Sequence, residues 1–459
     1  MPATRRALLA RSLPALAALA LPVLPGPARA DAVDEALAAL IFGGAFARGA
    51  ALEQLAGHTD PDIAPALILA LRYARGGARP IAARLRAITG HDADDWFGWM
   101  LWQEAHPEIV PRAGYGALKR RLYLAIDPAF AVFLRPEHLA PETMRIRFEE
   151  AAWGGVRKDG IPALDGPEMI AAEAAGYLLD DDLVFGIEIN GDIRAYPLRI
   201  MGWHEMFNDV IGGVPVALAY CTLCGAGILF ETRVEGRAAP FVFGSSGFLY
   251  RSNKLMFDRE THSLWNQFTG EPVIGPLAAS GIRLAQRPVA IARWADWRAA
   301  NPGTTVLSEN TGHVRDYGSG VVYRDYFASP DLMFPTSAGD GRLAAKAHVF
   351  GIRSFGAAKA WPLDAFAGGR VINDRVGDLA VVLVGDAAGR TVRAYDRGGR
   401  EFSPGAAPDR LLAGGAAWEV TEAALVGPGG ARAPRVAGHV SYWFAWDGYL
   451  GATSELFPE

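Results

Sequence analysis

Two cysteines are all the chain has, and they stand three residues apart as Cys221-Thr222-Leu223-Cys224. Val214 to Tyr220 reads as a strand leading into them, and Gly225-Ala226-Gly227 follows. A turn after a strand brings two sulfur atoms within a few ångströms, which suits a metal ion or a reversible disulfide. The glycines permit close backbone approach and can aim N–H groups at anionic sulfur. A complete metal site needs further ligands. His204 is the first candidate, with Glu205 beside it to orient an imidazole. Met256 and His262 come next, and Met, Cys and His together favour copper(I), with zinc or iron after it. Nothing in the sequence indicates an organic cofactor.

Other polar residues are placed to line a pocket or to brace such a site: Asn208, Ser246, Asn253, Asp258, Trp265 and Gln267. Gly244-Ser245-Ser246-Gly247 is one residue short of the G-x-S-x-G nucleophile elbow, which argues against a serine hydrolase.

The elements that must hold these residues fall into a helical head and a β-rich body. Residues 1–30 read as a secretory signal: Arg5-Arg6, an apolar run from Ser12 to Leu24, then Ala28-Arg29-Ala30. Thr4-Arg5-Arg6-Ala7-Leu8-Leu9 also resembles a twin-arginine signal, so export to the periplasm or beyond is expected. Residues 31–110 show helical signals. Asp60-Pro61 opens one helix, Pro80 to Thr89 form a second closed by Gly90, and Asp94 or Asp95 starts a third that carries Trp96, Trp99 and Met100. Short helices joined by Asp, Gly and Pro turns suggest a helical-repeat module. Residues 111–150 connect head to body.

The body contains an internal repeat. Val184-Phe185-Gly186-Ile187 returns as Val349-Phe350-Gly351-Ile352, an offset of 165 residues. At that offset 13 of 35 positions match over 184–218, far above chance, so 151–310 and 311–459 should be two related halves. Asn190-Gly191 predicts a tight hairpin between Leu183–Ile189 and Ile193–Leu198. Ile200 to Val210 reads as one helical segment, and Ile228–Val234, Pro240–Phe243 and Leu255–Asp258 as strands. The expected fold is α+β: a duplicated body with mainly antiparallel sheets behind an all-α head. The second half lacks the special residues. Cys221 aligns with Asp386, Cys224 with Gly389 and His204 with Gly369, so chemistry is expected in the first half.

The order of motifs resembles a bacterial domain-of-unknown-function family, number 3179. The likeness is carried by Trp153 to Val156, Asp159 to Pro162, Arg194 to Pro197, His204-Glu205, Asn208-Asp209, Tyr220-Cys221 with Cys224, Gly244 to Gly247, Met256 with Asp258, and Ser263 to Gln267. It is close over roughly 150–310 and implies an exported protein without an established activity. Many members have proline where this chain has Thr222, and its absence leaves the turn less stiff. The head bears a weaker likeness to HEAT-type repeats.

Net charge of −5 and a pI near 6.0 argue against general nucleic-acid or anionic-membrane binding. No stretch after residue 30 is long and apolar enough to span a bilayer. Three readings follow: a soft-metal site in a redox or metal-handling protein, a thiol–disulfide exchange protein, or a binding scaffold with one structural disulfide. A small molecule or a protein partner is compatible with each.

Overall fold

A computed structural model describes residues 31–74, 76–337, 341–354 and 356–458. The expected signal at 1–30 lies outside the described residues.

The head is built of helices Ala32–Phe42, Ala45–Leu55, Ala64–Tyr73, Ala78–Thr89 and Trp96–Ala105. Their ends follow local capping chemistry. The Asp60 side chain accepts from the Asp62 N–H ahead of Pro61, Gly90 closes its helix in the left-handed conformation, and Asp95 accepts from the Gly98 N–H. The connector adds Tyr115–Ile126, whose buried face joins the same core. That core runs on without a break into Phe248, Tyr250, Leu255 and Phe257 of the body, so head and body are welded by apolar packing.

Five sheets make up the body among the described residues. A meander of Ala151–Trp153, Phe243–Tyr250, Asn253–Asp258, Leu264–Asn266 and Glu271–Ile274 lies against the head. The hairpin Leu183–Ile189 with Asp192–Pro197 turns at Asn190 and Gly191, both at positive φ, as the Asn-Gly pair requires. Its sheet runs in the order Ala290–Arg293, Leu183–Ile189, Asp192–Pro197, Thr305–Leu307, Met169–Ala171. Further along the chain stands a sheet in the order His439–Tyr442, His348–Ser354, Ala357–Pro362, Ser454–Leu456. The remaining two sheets contain the hairpins Val214–Cys221 with Ala226–Glu231 and Leu379–Asp386 with Thr391–Asp396. Phe185, Tyr196, Phe207 and Leu218 share one apolar core with Phe350, Trp361, Phe366 and Leu383.

Two expected elements differ. Ile200 to Val210 is not one helix. The helix Leu198–His204 stops where Glu205 turns left-handed and its N–H bonds the Met201 carbonyl, and Met206–Ile211 is a strand paired with Val214–Cys221. Met206 to Asn208 and Ile211 are buried while Asp209 and Val210 face outward, so the strand lacks a simple alternation and the left-handed break at Glu205 is what the helical reading overlooked. Nor is Pro240–Phe243 a strand. Pairing begins at Phe243 and runs through Tyr250, so Gly244 to Gly247 lie inside a buried strand and form no elbow.

Gly186 and Gly351 are each covered by an indole. A Cβ at Gly186 would fall inside the Trp297 ring, and one at Gly351 inside the Trp446 ring. Both rings are fully buried. Gly186→Ala is therefore expected to lower stability by about 1–3 kcal/mol through overpacking. The urea midpoint reads this directly, and an unchanged midpoint would mean that the Trp297 ring can yield.

Candidate active site

The cysteines occupy the turn of the hairpin Val214–Cys221 and Ala226–Glu231. Cys221 pairs with Ala226 across the strands, and the Cys224 N–H donates to the Cys221 carbonyl over 3.1 Å. Gly225 sits at φ +59°, the left-handed position the turn needs. The two sulfur atoms stand 2.9 Å apart, and the Cys224 thiol also points at the Ser252 carbonyl at 3.4 Å. Both residues are buried, Cys221 at 2% exposure and Cys224 at 0%. The Cys224 carbonyl accepts from the Tyr442 N–H at 2.7 Å, so a strand from the far end of the chain holds the turn in place.

Beside the sulfurs is a polar knot. Glu205 accepts from the Thr222 hydroxyl at 2.9 Å and the Tyr323 hydroxyl at 3.2 Å through Oε1, and meets the Lys254 ammonium at 3.2 Å through Oε2. Its backbone carbonyl accepts from the Tyr220 N–H. Glu205 and Lys254 are both buried. The Tyr326 hydroxyl donates to the Leu223 carbonyl at 2.7 Å. A cavity of about 60 Å³ is lined by Cys221, Glu205, Lys254 and Tyr323, with Phe334 and Leu249 as apolar wall. Cys221 faces this space and Cys224 is set behind it. Burial, then the hydrogen bond and charge of Cys221, then Glu205, push the Cys224 thiol well above its ordinary pKa, so it stays protonated.

The other candidates divide into those near the turn and those elsewhere. Met256 is fully buried in the same apolar cluster as both cysteines. Gln267 braces the hairpin, its amide donating to the carbonyls of Ala219 and Ala226 at 2.8 and 3.1 Å. Asn253 is fully buried next to Ser252, and neither of its amide atoms has a hydrogen-bond partner among the described residues. His204 is turned to other partners: Nδ1 meets the Pro162 carbonyl at 2.9 Å and Nε2 the Tyr317 hydroxyl at 2.6 Å. Burial pushes its pKa down to about 4, so the ring is neutral at pH 7. His262 stacks on Phe257. Among the described residues no group of three or more His, Cys, Asp or Glu is disposed to hold a metal.

Three candidates have structural duties. The Asn208 side chain bonds both the N–H and the carbonyl of Phe243, and Asn373 makes the same two bonds to Phe402. Ser246 donates to the Leu255 carbonyl and accepts from the Phe248 N–H. Asp258 caps a turn through Thr261 and holds the Trp265 indole at 2.9 Å. Reasoning from sequence did not single out Lys254 within the polar run 251–261, and it missed Tyr323. Lys254 sits in a strand buried along its whole length, and Tyr323 arrives from a loop remote in sequence.

The chain belongs to the protein family of unknown function DUF3179, whose model matches residues 158–453. The match thus takes in the cysteine turn and most of the body. Comparison with curated proteins found no match, and neither did comparison with solved structures.

Removing either member of a buried ion pair strands the other charge in the core, at a cost of about 3–5 kcal/mol. Glu205→Ala and Lys254→Met should each destabilise by that order, and the double variant by clearly less than their sum. Chemical denaturation of the four proteins measures the coupling, and strict additivity would show that the pair is not energetically linked.

Proposed function

We propose that Cys221 and Cys224 form a redox-active dithiol that reduces a small oxidant of the hydroperoxide class. The observation that carries this reading is the 2.9 Å sulfur separation in a turn where only Cys221 borders a cavity. A space of about 60 Å³ takes a few water-sized groups, since a water needs roughly 10–15 Å³ by this measure. That space suits a peroxide better than a protein disulfide. Cys221 sulfur attacks one peroxide oxygen, the O–O bond breaks, and the other oxygen leaves as water or alcohol after protonation. Cys224 then displaces water from the Cys221 sulfenic acid, closing the disulfide. Two thiols lose two electrons and two protons, and the peroxide gains both.

A second reading is a copper(I) site, with zinc or iron after it, held by Cys221 and Cys224. Burial of the Met256 thioether in the same cluster favours it, because three soft sulfur donors suit copper(I). His204 is not part of this set, as both its ring nitrogens already have partners. The rest of the reading concerns context. Residues 1–30 serve export to the periplasm or beyond, the head derives from a HEAT-like helical repeat, and the body arose by duplication. For duplication the matched registers speak: Val184 pairs with Pro197 as Val349 pairs with Pro362, and Cys221 with Ala226 as Asp386 with Thr391.

The test is stoichiometric hydrogen peroxide on the reduced, metal-free protein, with thiols counted and intact mass recorded. Wild type is expected to lose both thiols and the mass of two hydrogens. Cys224→Ser should accumulate a dimedone-reactive sulfenic acid on Cys221, and Cys221→Ser should be inert. Oxidation of Cys221→Ser at the wild-type rate would overturn the proposal. Near-stoichiometric copper in protein from its native compartment, lost in Cys221→Ser/Cys224→Ser, would establish the second reading instead.

A further inference from the structure

A cleft of about 350 Å³ lies beside the cysteine turn. Gly225 and Tyr220 line it from one hairpin and Arg390 from another. The two hairpin turns correspond in register. Cys221 pairs with Ala226 and Asp386 with Thr391, and each turn carries a left-handed residue at the same place, Gly225 at φ +59° and Arg390 at φ +53°. Arginine is a poor occupant of that conformation, which glycine adopts freely. A long side chain kept at a strained turn position points to a use for that side chain.

The Arg390 guanidinium has no hydrogen bond or ion pair among the described residues. It lies near His348, Tyr220 and Tyr442, as its electrostatic effect on all three indicates. Lys346 lines the same cleft, donating to the carbonyls of Tyr326 and Ser329 without a carboxylate at ion-pair distance among the described residues. His348 is held neutral down to about 3 by burial and by these two cations. The hydroxyls of Tyr220 and Tyr442 likewise make no hydrogen bond among the described residues. On the acidic side, Asp182 is already taken by Arg199 at 2.9 Å and by Ser319, which leaves Asp181 at the exposed rim. The cleft is therefore lined by two cations without a carboxylate at ion-pair distance among the described residues, exposed Arg390 and half-buried Lys346, with aromatic walls and phenolic donors.

We propose that this cleft binds a small organic oxyanion, a carboxylate or a phosphate ester, with Arg390 as its main anchor. The volume fits a metabolite-sized molecule, and a planar guanidinium fork matches both anion types. The site is independent of the redox reading, since no lining residue is a cysteine.

Isothermal titration of the full chain with succinate and, separately, with inorganic phosphate tests the proposal. At least one probe should bind, and Arg390→Gln should weaken it about tenfold or more, the loss expected for a charge-assisted anchor. Arg121→Gln, on the head, removes the same charge and should bind as wild type. Arg390→Gly should also lose binding while melting no lower than wild type, because glycine relieves the left-handed backbone. Which probe binds assigns the carboxylate or the phosphate class. Absence of binding by both probes, or equal affinity in wild type and Arg390→Gln, would overturn the proposal.

Discussion

A carboxylate and an ammonium buried together are the constraint around which the cysteine site is arranged. Desolvating either alone costs several kcal/mol, so Glu205 and Lys254 must arrive at the same point with their remaining valences filled. Glu205 reaches it because its helix ends there in a left-handed cap, and Lys254 because it begins a strand of the meander sheet. Thr222 brings the cysteine turn and Tyr323 a loop from far along the chain. Four separate stretches thus meet on one ion pair, and the sulfurs are positioned as a by-product of satisfying it.

The cysteine turn is held on two sides by different means. Towards the meander sheet the contacts are ionic and the cavity is small, which favours a reactant of a few atoms. On the opposite side Tyr442 bonds the turn's backbone, and the neighbouring space is wide, cationic and lined by aromatic rings. One face of this tight turn suits covalent sulfur chemistry and the other suits recognition of a larger anion. Gly225 stands between the two, its left-handed backbone turning the chain while its Cα side lies in ordinary contact range of the Tyr442 ring.

Much of the scaffold was legible because it depends on local signals. Asp60, Gly90, Asp95 and the Asn190-Gly191 turn act on neighbours a few residues away, and the structure uses each as its chemistry suggests. The offset of 165 residues was equally plain, since paired strands keep their register when most side chains change. The site was legible only in part. Cys221, Cys224 and Glu205 stand together, whereas His204, one residue from Glu205, turns the other way. The left-handed residue between helix and strand separates their directions, and nothing in Trp203-His204-Glu205 announces it. The ion pair of Lys254 and the part of Tyr323 were not foreseen because they arise from long-range packing, to which spacing along the chain is blind. Asn208, expected to line a pocket or brace the site, bonds the backbone of Phe243, and its counterpart Asn373 makes the same bonds to Phe402.

The backbone bond from Tyr442 to the Cys224 carbonyl also has a consequence in time. The partner that covers the turn is made long after the turn itself. At ~5–20 residues per second, synthesis of the intervening chain takes on the order of tens of seconds. Until Tyr442 emerges, the hairpin lacks its cover and its sulfurs are open to whatever oxidant or metal surrounds the nascent chain. The turn thus acquires its last backbone partner only when nearly the whole chain has been made.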